Sequence, residues 1–287
     1  MATIALVTYR ELPDWQEDEQ LLAEELESRG HEVHATIWDD AEVEWRACDL
    51  VIIRSTWDYD ARADEFLQWC ERVARAAPLW NELAIIRWNT HKKYLRELAS
   101  HGVPIVTSHY AARGSTLDLA RFLEERGWDR AVLKRAVGAG ARDSLRIRGA
   151  EDHADAQRVY DKLAREGDVI VQPFLETIAT EGEISIICID GEPSHALRKI
   201  PKPGDWRSQE EFDAHHTPHE ITPAERRLCA KILGNVDGDL LYARVDLVME
   251  DGEARLIELE LIEPALYLQY GDGAVERFAD AIEQKLD

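Results

Sequence analysis

Apolar positions along the chain change period near residue 182. Before it, short apolar runs alternate with helical patterns: Thr3 to Val7 reads as a strand, Asp14 with Glu17 as a capping box, and Gly30 as the close of the helix between them. Val33 to Ile37 and Leu50 to Ile53 have strand length, while Phe66, Leu67, Cys70, Val73 and Ala74 recur at helical spacing. Residues 1–88 are therefore expected to form a small parallel α/β domain. Its strands should end at Tyr9, Arg10 and the run Arg54 to Tyr59, where ligands of open α/β sheets sit.

Next, Asn89 is expected to cap a helix carrying Lys92, Lys93, Tyr94, Leu95 and Leu98, with Gly102-Val103-Pro104 ending it. A strand, a helix over Thr116 to Gly127, a strand Ala131 to Lys134 and a glycine-containing loop from Ala136 to Asp143 come after it. Ser144 to Arg148 then reads as a strand, Glu151 to Arg165 as a helix, and Val169 to Gln172 as a strand stopped by Pro173. From Gly182 onward the pattern turns to β. Ile184 to Ile189 and Ser194 to Ile200 flank an Asp190-Gly191 turn, and residues 201–221 read as one long polar loop containing His215, His216 and His219. Thr222-Pro223-Ala224-Glu225 starts a helix, Leu240 to Met249 and Ala254 to Ile262 make a hairpin, and Gly273 to Leu286 is a last helix. The expected divisions are 1–88, 89–172 and 173–287.

The hairpin is the most informative segment. Its odd positions, Ala243, Val245, Leu247, Met249, Ile257, Leu259 and Leu261, are apolar, and its even positions hold Arg244, Asp246, Glu258 and Glu260. Burying the odd faces together requires paired residue numbers with an even sum, and a three-residue loop Asp251-Gly252-Glu253 would supply it. Asp246 then faces Glu258, and Arg244 faces Glu260. Like charges directly opposed across a sheet cost tenths to ~1 kcal/mol, so three neighbouring carboxylates call for a cation. Hard oxygen donors without His or Cys nearby favour Mg²⁺. A solvated strand face, with Arg244 neutralising one acid, is the other reading of the same pattern.

Composition narrows the function classes. The 287 residues carry Lys+Arg 34 against Asp+Glu 57, a net charge of −23, which argues against nucleic acid or an acidic membrane as the main partner. Cys48, Cys70, Cys188 and Cys229 lie far apart without C-x-x-C spacing, so they read as reduced thiols of a cytoplasmic protein. No run of 18 uncharged apolar residues occurs. The loop after Lys134 is no dinucleotide fingerprint, since Asp143 stands where its third glycine should be.

Taken together, these motifs resemble the ATP-grasp superfamily of ligases from about Asn89 to Pro264. The resemblance rests on Lys92 ahead of Gly102-Val103-Pro104, Lys134 at a strand end before Gly138-Ala139-Gly140, and the Arg-x-Asp and Glu-x-Glu hairpin. Within the superfamily, Arg54-Ser-Thr-Trp-Asp-Tyr59, Trp88 to Tyr94, Arg198 to Gln209 and Glu258 to Pro264 resemble the cyclo-ligases that make D-cycloserine from an ureido-serine precursor.

The resemblance implies an ATP-grasp fold, with a small parallel α/β domain followed by two α+β subdomains clasping ATP. It implies that Lys92, Lys134, Gly138 and Gly140 hold phosphates, that Gln172, Phe174 and Leu175 meet adenine, and that Glu183 takes the ribose hydroxyls. Asp246, Glu258 and Glu260 would hold Mg²⁺, for which Mn²⁺ could substitute. Arg244 and Lys134 would stabilise the moving phosphoryl group, and Arg54, Trp57, Lys199 and Arg207 would contact the acceptor. The implied partners are a small carboxylate and an amine nucleophile, and the family allows a homodimer. A nucleotide-binding sensor and a small-molecule kinase are the alternatives. Both lysines and all three acids speak against the sensor.

Overall fold

The computed structural model describes residues 1–138, 144–202, 204–207 and 214–286. Gly140 and Gln209 therefore lie outside the described residues.

The chain opens as alternating strands and helices: β1 (Thr3–Thr8), α1 (Glu17–Ser28), β2 (Glu32–Ile37), β3 (Leu50–Ser55), α2 (Ala63–Ala74) and β4 (Leu79–Trp80). The strands are parallel in the order β2-β1-β3-β4, as the alternating pattern leads one to expect. Helix α1 begins later than the sequence suggests. Gln16 and Glu19, not Asp14 and Glu17, form the capping box, because Trp15 takes a left-handed turn first.

A short helix α3 (Leu83–Asn89) has no counterpart in the sequence reading, and Asn89 is its last residue rather than the cap of the next helix. Lys92 and Lys93 lie in the turn before α4 (Tyr94–Ser100), not on it. A second sheet, antiparallel, has the order β5-β8-β6-β7 from β5 (His109–Ala111), β6 (Ala131–Arg135), β7 (Leu145–Ile147) and β8 (Val169–Pro173). Helices α5 (Leu119–Arg126) and α6 (His153–Glu166) cover it with Leu119, Leu123, Tyr160 and Leu163.

After α7 (Glu176–Thr180), a third sheet runs β11-β10-β9-β12-β13, all antiparallel. It comprises β9 (Glu183–Ile189), β10 (Glu192–Ile200), β11 (His215–Pro218), β12 (Tyr242–Glu250) and β13 (Glu253–Glu260), with α8 (Pro223–Leu233) between β11 and β12. Strand β11 corrects the loop expected over 201–221: His215 and His216 pair with Ile200 and Lys199. Helix α9 (Ala274–Gln284) closes the chain and packs on α1. Gly182, ahead of β9, has φ +81, and a Cβ there would meet the Lys199 carbonyl at 2.7 Å, so only glycine fits.

The first and third sheets share an apolar cluster that joins Ile4, Leu6 and Ile52 to Ile187, Leu241 and Phe278. The opposite face of β12 and β13 packs Ala243, Val245, Leu247, Leu259 and Leu261 on Tyr94, Leu95 and Leu98. Among the described residues no helix is long and apolar enough to cross a membrane.

Candidate active site

The hairpin reaches the expected register by a different route. Arg244 faces Glu260 and Asp246 faces Glu258, yet the turn is only Asp251-Gly252, both at positive φ, and Glu250 pairs with Glu253. A bulge restores the count: Asp246 pairs with Glu258 but Leu247 with Leu256, leaving Ile257 as the extra residue. In consequence Leu256, not Ile257, enters the core, and Met249 is half-buried.

Strand β13 is an edge of its sheet, and two side chains, Asn89 and Tyr94, occupy its open side, while Asn81 bridges the start of β12 to the residue after β13. Asn89 donates to the Leu259 carbonyl at 2.8 Å and accepts from Leu261 N at 2.9 Å. Tyr94 Oη accepts from Leu259 N at 3.0 Å, and Asn81 donates to the carbonyls of Tyr242 and Leu261. Satisfying these backbone groups fixes the strand that carries Glu258 and Glu260.

On the charged face the acids meet cations of the protein itself. Arg244 Nε lies 3.0 Å from Asp246, and its Nη2 also pairs with Glu260. Ser185 on β9 donates to Asp246 Oδ1 at 2.5 Å. Lys199, buried, pairs with Glu183 and lies 3.8 Å from Asp246. Lys92 Nζ is 2.9 Å from Glu258 and donates to the Gly138 carbonyl at 2.5 Å, while its backbone N–H donates to Ala136 O at 2.7 Å. The turn bearing Lys92 is thus tied both to the start of the glycine loop and to the hairpin.

These pairs set the protonation balance. Burial pushes Glu258 up, but Lys92 and Lys134 outweigh it and hold the carboxyl below its usual range. For Lys134, burial, with Lys92 adding repulsion, outweighs the attraction of Glu258 and Glu183 and lowers the ammonium. Glu260 is pushed up to about 7 by burial, with Asp246 and Glu258 adding to it against Arg244. Glu263, three residues on, is raised well above the carboxylate range by burial and by Glu260 and Glu258.

The remaining expected residues fall into three groups. Gln172 is buried and donates to Ser108 Oγ at 2.8 Å, Phe174 lies under Arg146 at 3.9 Å, and Leu175 precedes α7, so all three lie where the chain passes from the second sheet to the third. Trp57 donates to the Glu263 carbonyl at 3.1 Å, and Arg207 pairs with Asp205. Arg54 is 2% exposed, donates to the Pro264 carbonyl at 2.7 Å, lies 3.3 Å from Glu19 and stacks on Tyr242. Its placement is that of a cation fixing the segment after β13, not of an open acceptor contact.

Lys199 belongs with the acids rather than apart from them. Among the described residues no three His, Cys, Asp or Glu side chains gather closely enough to hold a metal ion as they stand. The crowding of acids read from the sequence is relieved by Arg244, Lys92 and Lys199.

Sequence reasoning missed Asn81 and took Asn89 for a helix cap; neither touches a charge, and they reach Leu261 and Leu259 across 160 or more residues. It also missed Asp18, whose carboxylate accepts the backbone N–H groups of Leu266, Tyr267 and Leu268. The only signal for Asp18 was an acid in a first helical turn, which reads equally well as a complement to the helix dipole.

Residues 4–81 match the family model of the N-terminal domain of D-cycloserine synthetase DcsG, and residues 102–267 match that of the ATP-grasp domain of prokaryotic glutathione synthetase. The chain belongs to the ATP-grasp ligases, which use ATP to form C–N bonds. Among its relatives, the cycloserine biosynthesis protein DcsG of Streptomyces lavendulae is 32% identical over 301 residues, covering 100% of this chain and 99% of that protein. The crystal structure of D-cycloserine synthetase DcsG superposes with a TM-score of 0.89 at 30% identity, covering 99% of this chain and all of the other. D-alanine–D-alanine ligase from Bacillus anthracis shares the fold, with a TM-score of 0.69 at 14% identity over 100% of this chain and 97% of that one.

Proposed function

We propose that the protein activates a small amino-acid-like carboxylate with MgATP and couples it to a nitrogen nucleophile. A carboxylate oxygen attacks the γ-phosphorus and ADP leaves. The nitrogen then attacks the acyl carbon of the resulting acyl phosphate, and inorganic phosphate departs with the C–O bond. The observation that carries this reading is Lys92, whose ammonium joins the Gly138 carbonyl to Glu258. Phosphates entering beside Gly138 would take over Lys92 and Lys134 as counter-charges and release Glu258 from its pair.

The donor set fits a hard divalent cation, because Asp246, Glu258 and Glu260 offer only carboxylate oxygens from two adjacent strands. Those three residues would hold Mg²⁺, which supplies charge neutralisation of the β- and γ-phosphates when bound. Arg244 stabilises charge developing on the transferred group, and Lys134, lowered by burial, is desolvated where a phosphate would reward it. The hinge Gln172, Phe174 and Leu175 would meet adenine, and Glu183 the ribose. Trp57, Arg207 and Lys199 are the proposed acceptor-side contacts, with Arg54 acting through the Pro264 carbonyl. The three divisions 1–88, 89–172 and 173–287 and the cytoplasm belong to the same proposal.

ADP and phosphate release, measured across carboxylic acids with and without added amines, tests it. Amine-dependent amide formation with one ADP per product is expected. A stable phosphorylated hydroxyl would make the protein a kinase, and nucleotide binding without turnover would make it a sensor. Either result overturns the proposal. Lys134→Ala should weaken ADP binding in a calorimetric titration at unchanged folding.

A further inference from the structure

The proposed chemistry leaves one acid unused. Glu263 is 9% exposed, and among the described residues no hydrogen bond or ion pair reaches its carboxylate. Its own carbonyl accepts from Trp57 Nε1 and the next carbonyl, of Pro264, accepts from Arg54 Nη2, so the loop after β3 runs against this segment. Along the same seam Arg54 Nη1 and Thr56 Oγ1 are buried without a partner among the described residues. Tyr59 and Asp60, further along that loop, lie within electrostatic reach of Glu263. Buried polar groups are satisfied in most folded proteins, so an unpaired acid at a parallel sheet's carboxyl end marks a place for a polar ligand, and the orphaned donors lie on the loop that meets its segment.

The segment is also held unusually firmly. Asp18 of α1 accepts three successive amides at Leu266, Tyr267 and Leu268, and the His195 ring lies 2.9 and 3.1 Å from the carbonyls of Leu266 and Tyr267. Tyr267 itself sits at φ 51. Such fixing from two domains is what a recognition wall needs, since a misplaced carboxylate loses the orientation that gives selectivity.

We propose that Glu263 reads a cationic nitrogen of the carboxylate substrate, an ammonium group borne by the same molecule whose acid is activated. This rests on the ligase reading and makes Glu263 its specificity-determining residue. Of the charges within electrostatic reach of Glu263, Glu260, Glu258 and Asp60 favour an ammonium over an anion and Lys92 opposes it; Asp60 is the one acid among them that neither Lys92 nor Arg244 pairs.

The test uses hydroxylamine as the nitrogen nucleophile, because it converts any acyl phosphate to a hydroxamate with release of phosphate. Wild type, Glu263→Gln and Glu263→Asp are given MgATP with D- and L-serine, D- and L-alanine, and the matching acids lacking the amine, 3-hydroxypropionate and propionate. The wild type should favour at least one amine-bearing acid over its amine-free partner. Glu263→Gln should lose about 10- to 100-fold of that preference, chiefly through KM, with Glu263→Asp in between. The melting temperature of Glu263→Gln should be unchanged or higher, which a merely structural role would not give.

An unchanged preference in Glu263→Gln, a kcat loss at constant KM, or a wild type indifferent to the amine overturns the inference while leaving the ligase reading intact. No hydroxamate and no ADP from any acid sinks the ligase reading, and the inference with it.

Discussion

The first sheet and the third are both closed to solvent at their centres, but by opposite means. In the first, Ile4, Leu6 and Ile52 are fully buried among other apolar side chains. In the third, one face of β12 is equally apolar, while the other buries Arg244, Asp246 and, from β10, Lys199. Apolar burial is non-directional and contributes about 1.5–3 kcal/mol per large side chain. Buried ions cost several kcal/mol each in desolvation and are recovered only by close pairing. On the proposed reading, the difference separates what holds the protein together from what it works with. The third sheet keeps a charge arrangement that stability alone would replace by leucines, and the phosphates of ATP would use that arrangement.

The sharpest way to break the comparison is Glu258→Gln. If the charged face is the working one, ADP formation should fall by a factor of about 10² or more, since a preorganised charge at the reacting phosphates is lost. Lys92 also loses its partner at 2.9 Å, so a fall of a few degrees in melting temperature should accompany it. Near-normal Mg²⁺-dependent turnover would remove Glu258 from the chemistry.

Ile52→Ala probes the other side of the contrast. Ile52 is fully buried between β1 and β4 within the cluster that joins the two sheets. Truncation should cost about 2–5 kcal/mol in a urea titration. ADP affinity per folded molecule should stay within about twofold, because stability and site are then separable. A tenfold loss of ADP affinity in the folded fraction would show that they are not.

How much of this was legible in the sequence depends on whether the cause was local. Alternation along β12 and β13 placed Arg244, Asp246, Glu258 and Glu260 on one face, because the two-residue period of a strand is written into consecutive positions. The Thr222 and Glu225 capping box is equally local, and both its reciprocal hydrogen bonds form. The register was right for the wrong turn: a two-residue turn plus the Ile257 bulge gives the same pairing as the three-residue loop read from composition. Nothing in the local pattern marks the bulge that brings Leu256 rather than Ile257 into the core.

Arg54 reads as an acceptor contact because ligands of open α/β sheets sit beyond the carboxyl ends of strands. Here Glu19, 35 positions earlier, and Pro264, 210 later, bury it. The role of Asn89 was beyond reach for the same reason, since helix α3, which aims it, ends where a cap was read.

Asn89→Ala sharpens the contrast at a residue that bears no charge. It removes the hydrogen bonds to Leu259 O and Leu261 N and leaves buried backbone groups unsatisfied, at a cost of about 1–3 kcal/mol. If β13 owes its place to these bonds, turnover should fall along with stability, whereas Ile52→Ala lowers stability alone. Hydrogen exchange should localise the effect to the Leu261 amide, which loses its acceptor, more than to the Leu259 amide, which Tyr94 still holds.

The smallest effect expected is one of pH, and it tests the charged face without any ligand. Glu260 is raised from 4.5 to about 7 by burial, with Asp246 and Glu258 adding to it, so between those values the folded chain holds a proton that the unfolded chain has released. Stability from this group must then fall as pH rises from about 4.5 to about 7, the reverse of an acid held low by a salt bridge. Without added Mg²⁺, the difference in unfolding free energy between wild type and Glu260→Gln should decrease over that window and level off above it. A difference that grows with pH would mean that Arg244 dominates Glu260, and that the face carries no surplus negative charge for a divalent ion to relieve.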